Sequence, residues 1–183
     1  MGKSAASELL RQHNVPTVDT DILARQVVQP GQPALQQILD AFGNDVLSES
    51  GELRRDVLAV KAFSDTASRL RLESILHPPI RALWHEQVAK WEKQGRPTAV
   101  VVIPLLFETG AERELDATIC VACTAATQSR RLSSRQWSAE QTRQRMDAQL
   151  PIDQKIAKAD FVIWNEAGLD VLWAQLARVI EAR

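Results

Sequence analysis

The chain has 183 residues, enough for one domain with a real core and a small inserted lobe. Hydrophobic residues make up 45% and charged residues 25%, with a formal net charge of −1. Nothing therefore draws the whole molecule to nucleic acid or an anionic membrane, and any anion site must be local. No apolar run approaches the ~20 residues of a membrane span and no charged-then-apolar leader opens the chain, so the expectation is a cytoplasmic protein without a membrane segment.

Gly2-Lys3-Ser4 runs into an amphipathic helix over residues 4–13, with Ala6, Leu9, Leu10 and His13 on one stripe. Gly-Lys-Ser before a helix is the second half of the phosphate-binding pattern G-x-x-x-x-G-K-[ST]. In that pattern backbone N–H groups cradle phosphates, the lysine reaches the β/γ oxygens and the hydroxyl meets Mg²⁺. Alone, the tripeptide carries little weight and reads first as a flexible terminus with Ser4 as a helix cap. Asn14 suits the helix end because asparagine tolerates the left-handed conformation. Residues 15–18 read as a short strand, at an edge or starting just after Pro16. The strand delivers Asp19, Thr20 and Asp21 at its carboxyl end, where open α/β sheets bind ligands. Two carboxylates at this spacing suit a metal, or removal of a proton from a hydroxyl. The competing reading is that Asp19 or Thr20 caps the next helix.

Helices follow at 22–28, carrying Arg25, then from Pro33 or Ala34 to 42, stopped by Gly43-Asn44, then at 53–63 and 66–76. His77-Pro78-Pro79 is expected to break the helical pattern, with the prolines in the first turn of a new helix that runs to about residue 93. His77 there is either a structural donor or a ligand contact. Gly95-Arg96-Pro97 is a stop. No strand is convincing from 33 to 93, which marks a helical insertion.

Residues 98–103 form the strongest strand, apolar on both faces as a buried parallel strand should be. It ends in Pro104-Leu-Leu-Phe-Glu108, which makes Glu108 a site candidate. Residues 117–122 form a second such strand, and Cys120 and Cys123 lie in it and just beyond it. Their C-x-x-C spacing is that of a redox pair. On a strand, however, it points the thiols to opposite faces, and no further cysteine or nearby histidine completes a metal set; packing is the reading taken. Helices at 125–136 and 138–150 carry Arg130, Arg131, Arg135, Arg143 and Arg145, opposed only by Glu140. Such a cluster is either a lid over phosphates or a solvated face. A nucleic-acid footprint is disfavoured by the overall charge and the absence of interleaved aromatics, although Trp137 lies among the arginines. A short helix at 153–158, a strand at 160–163 and an amphipathic helix at 168–182 close the chain. Four strands alternating with helices predict a parallel α/β sheet.

Taken in order, Gly2-Lys3-Ser4, Val18-Asp-Thr-Asp-Ile-Leu-Ala-Arg25, Val27-Val-Gln-Pro-Gly31, Phe42-Gly43, Leu76-His-Pro78 with Arg81, Val102-Ile-Pro-Leu-Leu-Phe-Glu108 and the arginine region resemble the dephospho-CoA kinase family, over essentially the whole chain. The resemblance implies a single P-loop kinase domain over 1–183, similar to nucleoside monophosphate kinases. Its five-stranded parallel core would be flanked by helices, with a helical substrate lobe at 33–94 and a lid at 125–150. It implies transfer of the ATP γ-phosphoryl to the ribose 3′-hydroxyl of dephospho-CoA, the last step of coenzyme A synthesis, with Mg²⁺ as cofactor. By position, Asp21 is the expected base and Lys3 the residue on the β/γ-phosphates, the two facing one another. Gly2, Ser4 and Ala5 join Lys3 in holding ATP, and Ser4 ligates the metal. Asp19, Arg25, His77, Arg81 and Glu108 are the expected acceptor-binding residues. Arg131, Arg135 and Arg145 are expected to close over ATP, with Asn165 near the adenine. The partners implied are ATP and dephospho-CoA, with no nucleic acid and no membrane, and a monomeric state.

The family pattern also has a strand and a glycine-rich turn ahead of Gly2, lying between the strands at 98–103 and 117–122, which the sequence does not contain. The chain as given is therefore expected to show little or no kinase activity, and a version extended upstream to be active. The alternatives are another small-molecule P-loop kinase, acting on nucleosides, shikimate or gluconate, and a nucleotide-binding remnant without turnover.

Overall fold

The computed structural model describes residues 2–133 and 149–182, and the chain divides into two compact units. The first comprises residues 1–17 and 98–183, the second residues 18–97.

The first unit is built on apolar strands sandwiched by helices. Helix α1 (Lys3–Gln12) and helix α8 (Leu169–Glu181) pack together. Their buried Ala6, Leu9, Leu10, Leu172 and Leu176 form one core with Ile163. The same core receives Val100 of strand β2 (Val100–Val102) and Ile119 and Val121 of β3 (Ile119–Ala122). Asn14 ends α1 at φ 58°, in the left-handed conformation expected of it. The Val100 N–H donates to the Pro16 carbonyl at 2.8 Å. Proline has no N–H of its own to give, so Pro16 enters the ladder only as an acceptor.

Strand β3 pairs in parallel with β4 (Phe161–Trp164), Ile119 opposite Phe161 through Ala122 opposite Trp164. The strand starts are fastened by a polar stitch. Asp160 Oδ2 accepts from both the N–H and the hydroxyl of Thr118, each at 2.8 Å, and the Asp160 N–H donates to the Thr118 hydroxyl. The outer face of β4 is closed by Gln175 of α8, whose carboxamide accepts from the Trp164 N–H and donates to its carbonyl, both at 3.0 Å. This blunts a strand edge that would otherwise expose backbone donors. Helix α6 (Ala125–Ser133) follows β3, and α7 (Ile152–Lys158) packs on that strand. Strand β1 (Thr17–Asp19) straddles the boundary between the units. Of the five strands implied by the resemblance, the described residues supply four.

The second unit is helical: α2 (Thr20–Gln26), α3 (Pro33–Phe42), α4 (Arg55–Ala62) and α5 (Thr66–Lys93). Val27, Val28, Ala34, Ile38, Val46 and Leu58 form its buried core. Gly43, at φ 90°, ends α3, and the Lys61 ammonium caps that end by donating to the Phe42 carbonyl and to Asp45, each at 2.6 Å. Asp65 caps α5 by accepting from the Ser68 N–H at 2.8 Å.

The expected break at His77-Pro78-Pro79 is not there. Both prolines lie inside α5, a single helix of 28 residues, and His77 is an interior helical residue rather than part of a helix start. An interior proline costs about 3 kcal/mol by removing a backbone donor and crowding the preceding turn. Here Leu72, Ile75, Leu76, Ile80 and Leu83, on both sides of the prolines, pack against the same core. Breaking the helix would strip one half of that stripe from its partners, and burial outweighs propensity.

Candidate nucleotide and acceptor sites

In the first unit α1 opens at a glycine. Gly2 caps the helix at φ 115°, a conformation available at little cost only to glycine, and as a glycine it brings no side-chain cap of its own. A Cβ on Gly2 would run into the carboxamide of Asn165, so the absence of a side chain is what lets the two chain segments meet. Asn165 is buried, and its N–H donates to the Ala122 carbonyl at 2.8 Å, at the carboxyl ends of β3 and β4. Lys3 and Ser4 are exposed in the first turn, where aligned peptide dipoles favour negative charge.

Two further groups shape this end of the unit. Glu166, next to Asn165, accepts from the Thr124 N–H and from the Thr127 hydroxyl, the latter at 2.7 Å, and so fixes the start of α6. Those two donors, Thr124 first, hold its carboxyl below the ordinary glutamate range, with Arg131 on the same helix adding to the effect. Glu108 accepts from the Lys155 ammonium at 2.7 Å and from the Leu150 N–H at 2.8 Å, while its second oxygen is buried without a hydrogen-bond partner among the described residues. Burial pushes the Glu108 carboxyl up, but Lys155 and the Leu150 N–H outweigh it and leave it lowered. Cys120 is raised by burial, partly offset by the positive charges of Lys155 and Lys3. Cys120 and Cys123 are both buried free thiols.

The second unit carries most of the acceptor candidates. Asp19 is the N-cap of α2, accepting from the Asp21 N–H at 2.9 Å. Of the two readings of this carboxylate pair, capping is realised for Asp19, which leaves Asp21 exposed in the first helical turn. Arg25 lies one turn further along α2, on the same face as Asp21. His77 and Arg81 are likewise one turn apart and exposed on α5.

The structure thus places Gly2, Lys3, Ser4, Ala5 and Asn165 in the first unit, with Asn165 against Gly2, and Asp19, Asp21, Arg25, His77 and Arg81 in the second. Arg131 is on α6 beside Glu166. Arg135, Arg143, Arg145, Trp137 and the helix expected at 138–150 lie outside the described residues, apart from its last two positions. Glu108 belongs to the first unit, on the loop after β2, and is engaged by Lys155. Sequence reasoning missed Lys155, whose only signal was an ordinary lysine on a short amphipathic helix, and Arg55, treated below.

A family model described as dephospho-CoA kinase matches residues 1–170. The chain belongs to the dephospho-CoA kinase family. Among its relatives is a dephospho-CoA kinase of Anaeromyxobacter dehalogenans, 41% identical over 98% of this chain and 85% of the relative. Another, from Bdellovibrio bacteriovorus, is 38% identical over 98% of this chain and 90% of the relative. A crystal structure of a Thermus thermophilus protein superposes with a TM-score of 0.83 at 31% identity, covering 99% of this chain and 91% of that one. The dephospho-CoA kinase of Campylobacter jejuni superposes with a TM-score of 0.70 at 27% identity, over 98% and 90% of the two chains. The P-loop kinase fold read from the sequence is the fold of these neighbours. Dephospho-CoA kinases use ATP to phosphorylate dephospho-CoA to coenzyme A, the last step of its biosynthesis, and the chain is accordingly a phosphotransferase. No helix among the described residues is long and apolar enough to cross a membrane.

Proposed function

We propose that the head of α1 is where this dephospho-CoA kinase grips ATP, and that Asp21 prepares the acceptor. The observation that carries the reading is Gly2, held in the left-handed conformation with Asn165 packed on its α-carbon. A side chain at that point would collide with Asn165 and force apart the head of α1 and the segment after β4, the two places from which phosphate and base would be held. Lys3 then neutralises the β/γ-phosphates, Gly2 and Ala5 contribute backbone donors, and Asn165 contacts the base. The ribose 3′-oxygen attacks the γ-phosphorus as its proton passes to the Asp21 carboxylate, and the bond from phosphorus to the β,γ-bridging oxygen breaks to release ADP. Such a site works by positioning and charge stabilisation.

The donor set fits Mg²⁺. Among the described residues no group of three or more His, Cys, Asp or Glu could hold a metal by itself. Magnesium bound mainly through substrate phosphates and water asks the protein for little more than the Ser4 hydroxyl. The ion supplies charge neutralisation on the transferring phosphoryl group. Arg131, with Arg135 and Arg145, is assigned to the ATP side, within a lid at 125–150. Asp19, Arg25, His77, Arg81 and Glu108 are assigned to the acceptor side, the first four on or beside a helical lobe at 33–94. A monomer acting in the cytoplasm completes the reading, and two free cysteines suit a reducing compartment.

The test is Asp21→Asn. Its kcat should fall by roughly 10²- to 10⁴-fold, the usual worth of a positioned general base, with the KM for ATP unchanged. Measured in a native background that turns over, equal turnover by the variant removes Asp21 from the chemistry.

A further inference from the structure

The helical unit holds a feature that the motifs did not single out. A cavity of about 150 Å³ opens between α2, α4 and α5, lined by Ala24, Leu53, Leu58, Ala59 and Phe63, with Arg55 at its rim. Its lining is otherwise apolar, and Phe63, at 66% exposure, keeps most of its ring in solvent beside it. Arg25, next in sequence to the lining residue Ala24, is close enough to Arg55 for the two guanidiniums to repel. Neither has a carboxylate or any hydrogen-bond acceptor among the described residues. Two like charges within electrostatic reach of each other and without a counter-ion oppose folding, and Arg55 on the lining of an apolar cavity, one residue of which is the Ala24 that precedes Arg25, offers a site for an anion with an apolar neighbour.

We propose that Arg25 and Arg55 clamp the diphosphate bridge of dephospho-CoA and that the cavity beside Arg55 receives the dimethyl-bearing carbon of its pantoyl arm. The assignment rests on the acceptor reading given above. It follows from the substrate's chemistry: dephospho-CoA has one anionic segment, its diphosphate. On the side away from the ribose, that segment runs at once into a methylene and a quaternary carbon bearing two methyl groups. Guanidinium forks match the first and a small apolar cavity the second. The register on α2 agrees, since Asp21 and Arg25 share a face one turn apart. That suits a ribose with its reacting 3′-hydroxyl at one end and its 5′-phosphate at the other. Partial desolvation and the charge of Arg25 both press the Arg55 guanidinium down from its ordinary value.

Calorimetric titration of the full chain with dephospho-CoA tests this, with adenosine, which lacks the diphosphate, as a second probe. Arg55→Met should weaken dephospho-CoA roughly 10- to 100-fold, the range for one charge-assisted hydrogen-bonded contact, and leave adenosine unchanged. Arg55→Lys should recover part of the loss. Ala59→Leu, which fills the cavity, should weaken dephospho-CoA several-fold with both arginines intact. In turnover, Arg55→Met should raise the KM for dephospho-CoA and not that for ATP. Arg55 is exposed, so its variants should fold, and an unchanged circular dichroism melt confirms it. If the native chain binds dephospho-CoA and Arg55→Met binds it equally well, the clamp is overturned and the acceptor reading stands. If the native chain itself does not bind dephospho-CoA, the acceptor reading falls, and the clamp with it.

Discussion

Replacing Lys155 by methionine tests how the sheet unit holds its most buried charge. The Lys155 and Glu108 side chains are 9% and 16% exposed, and their charged atoms are 2.7 Å apart. Removing one member of a buried pair costs about 3–5 kcal/mol, because the other is left charged and uncompensated. Glu108 would keep the Leu150 N–H and its small contact with solvent, so the expected loss is about 2–3 kcal/mol. The chain has two units, so a single global melt would blur the effect. Hydrogen exchange of the β3 and β4 amides reports it locally and should accelerate roughly 30- to 150-fold. Adding Glu108→Leu should bring exchange back to within about 1 kcal/mol of native, since two apolar side chains can replace a buried pair. Lowering the pH should act through the same carboxylate. Its pKa is depressed in the fold, so its stabilisation is complete above the ordinary glutamate value of about 4.3 and disappears as the pH falls through the lowered folded value. The double variant should lose that part of the pH dependence. Exchange in Lys155→Met within threefold of native would show the pair to be worth no more than a surface bridge, and would refute the reasoning.

Gly2→Ala should weaken ATP at least tenfold by calorimetry, because the new methyl meets Asn165 and the backbone is left-handed there. Adding Asn165→Ala should relieve the steric part but not the backbone part, so recovery should be incomplete. Asp19→Ala removes the cap of α2 and should cost about 1 kcal/mol in urea titration, where Asp19→Asn should cost less. Pro78→Ala supplies the donor missing beneath the Ser74 carbonyl and should stabilise α5 by about 1–3 kcal/mol, seen as a higher Tm. A lower Tm would show that a proline at this point is needed by the helix.

The sequence by itself determined whatever depends on neighbours along the chain. Helix α1 and its left-handed stop at Asn14, the end of α3 at Gly43, the apolar strands and the closing helix follow from periodicity and local backbone preference, which act over a few residues. The ordered set of short motifs likewise named the family, because chemistry at a phosphate site fixes residue types at fixed spacings. Tertiary structure decided what depends on partners far apart in the chain. Pro78 and Pro79 signal a break locally, and only the core beneath α5 makes an unbroken helix the lower-energy choice. Asp19 and Asp21 look equivalent in sequence, and only the backbone turn spends one as a cap and exposes the other. Lys155 becomes the partner of Glu108, and Arg55 the neighbour of Arg25, through packing of separate elements. Burial and electrostatic coupling depend on distance in space, which spacing along the chain does not encode.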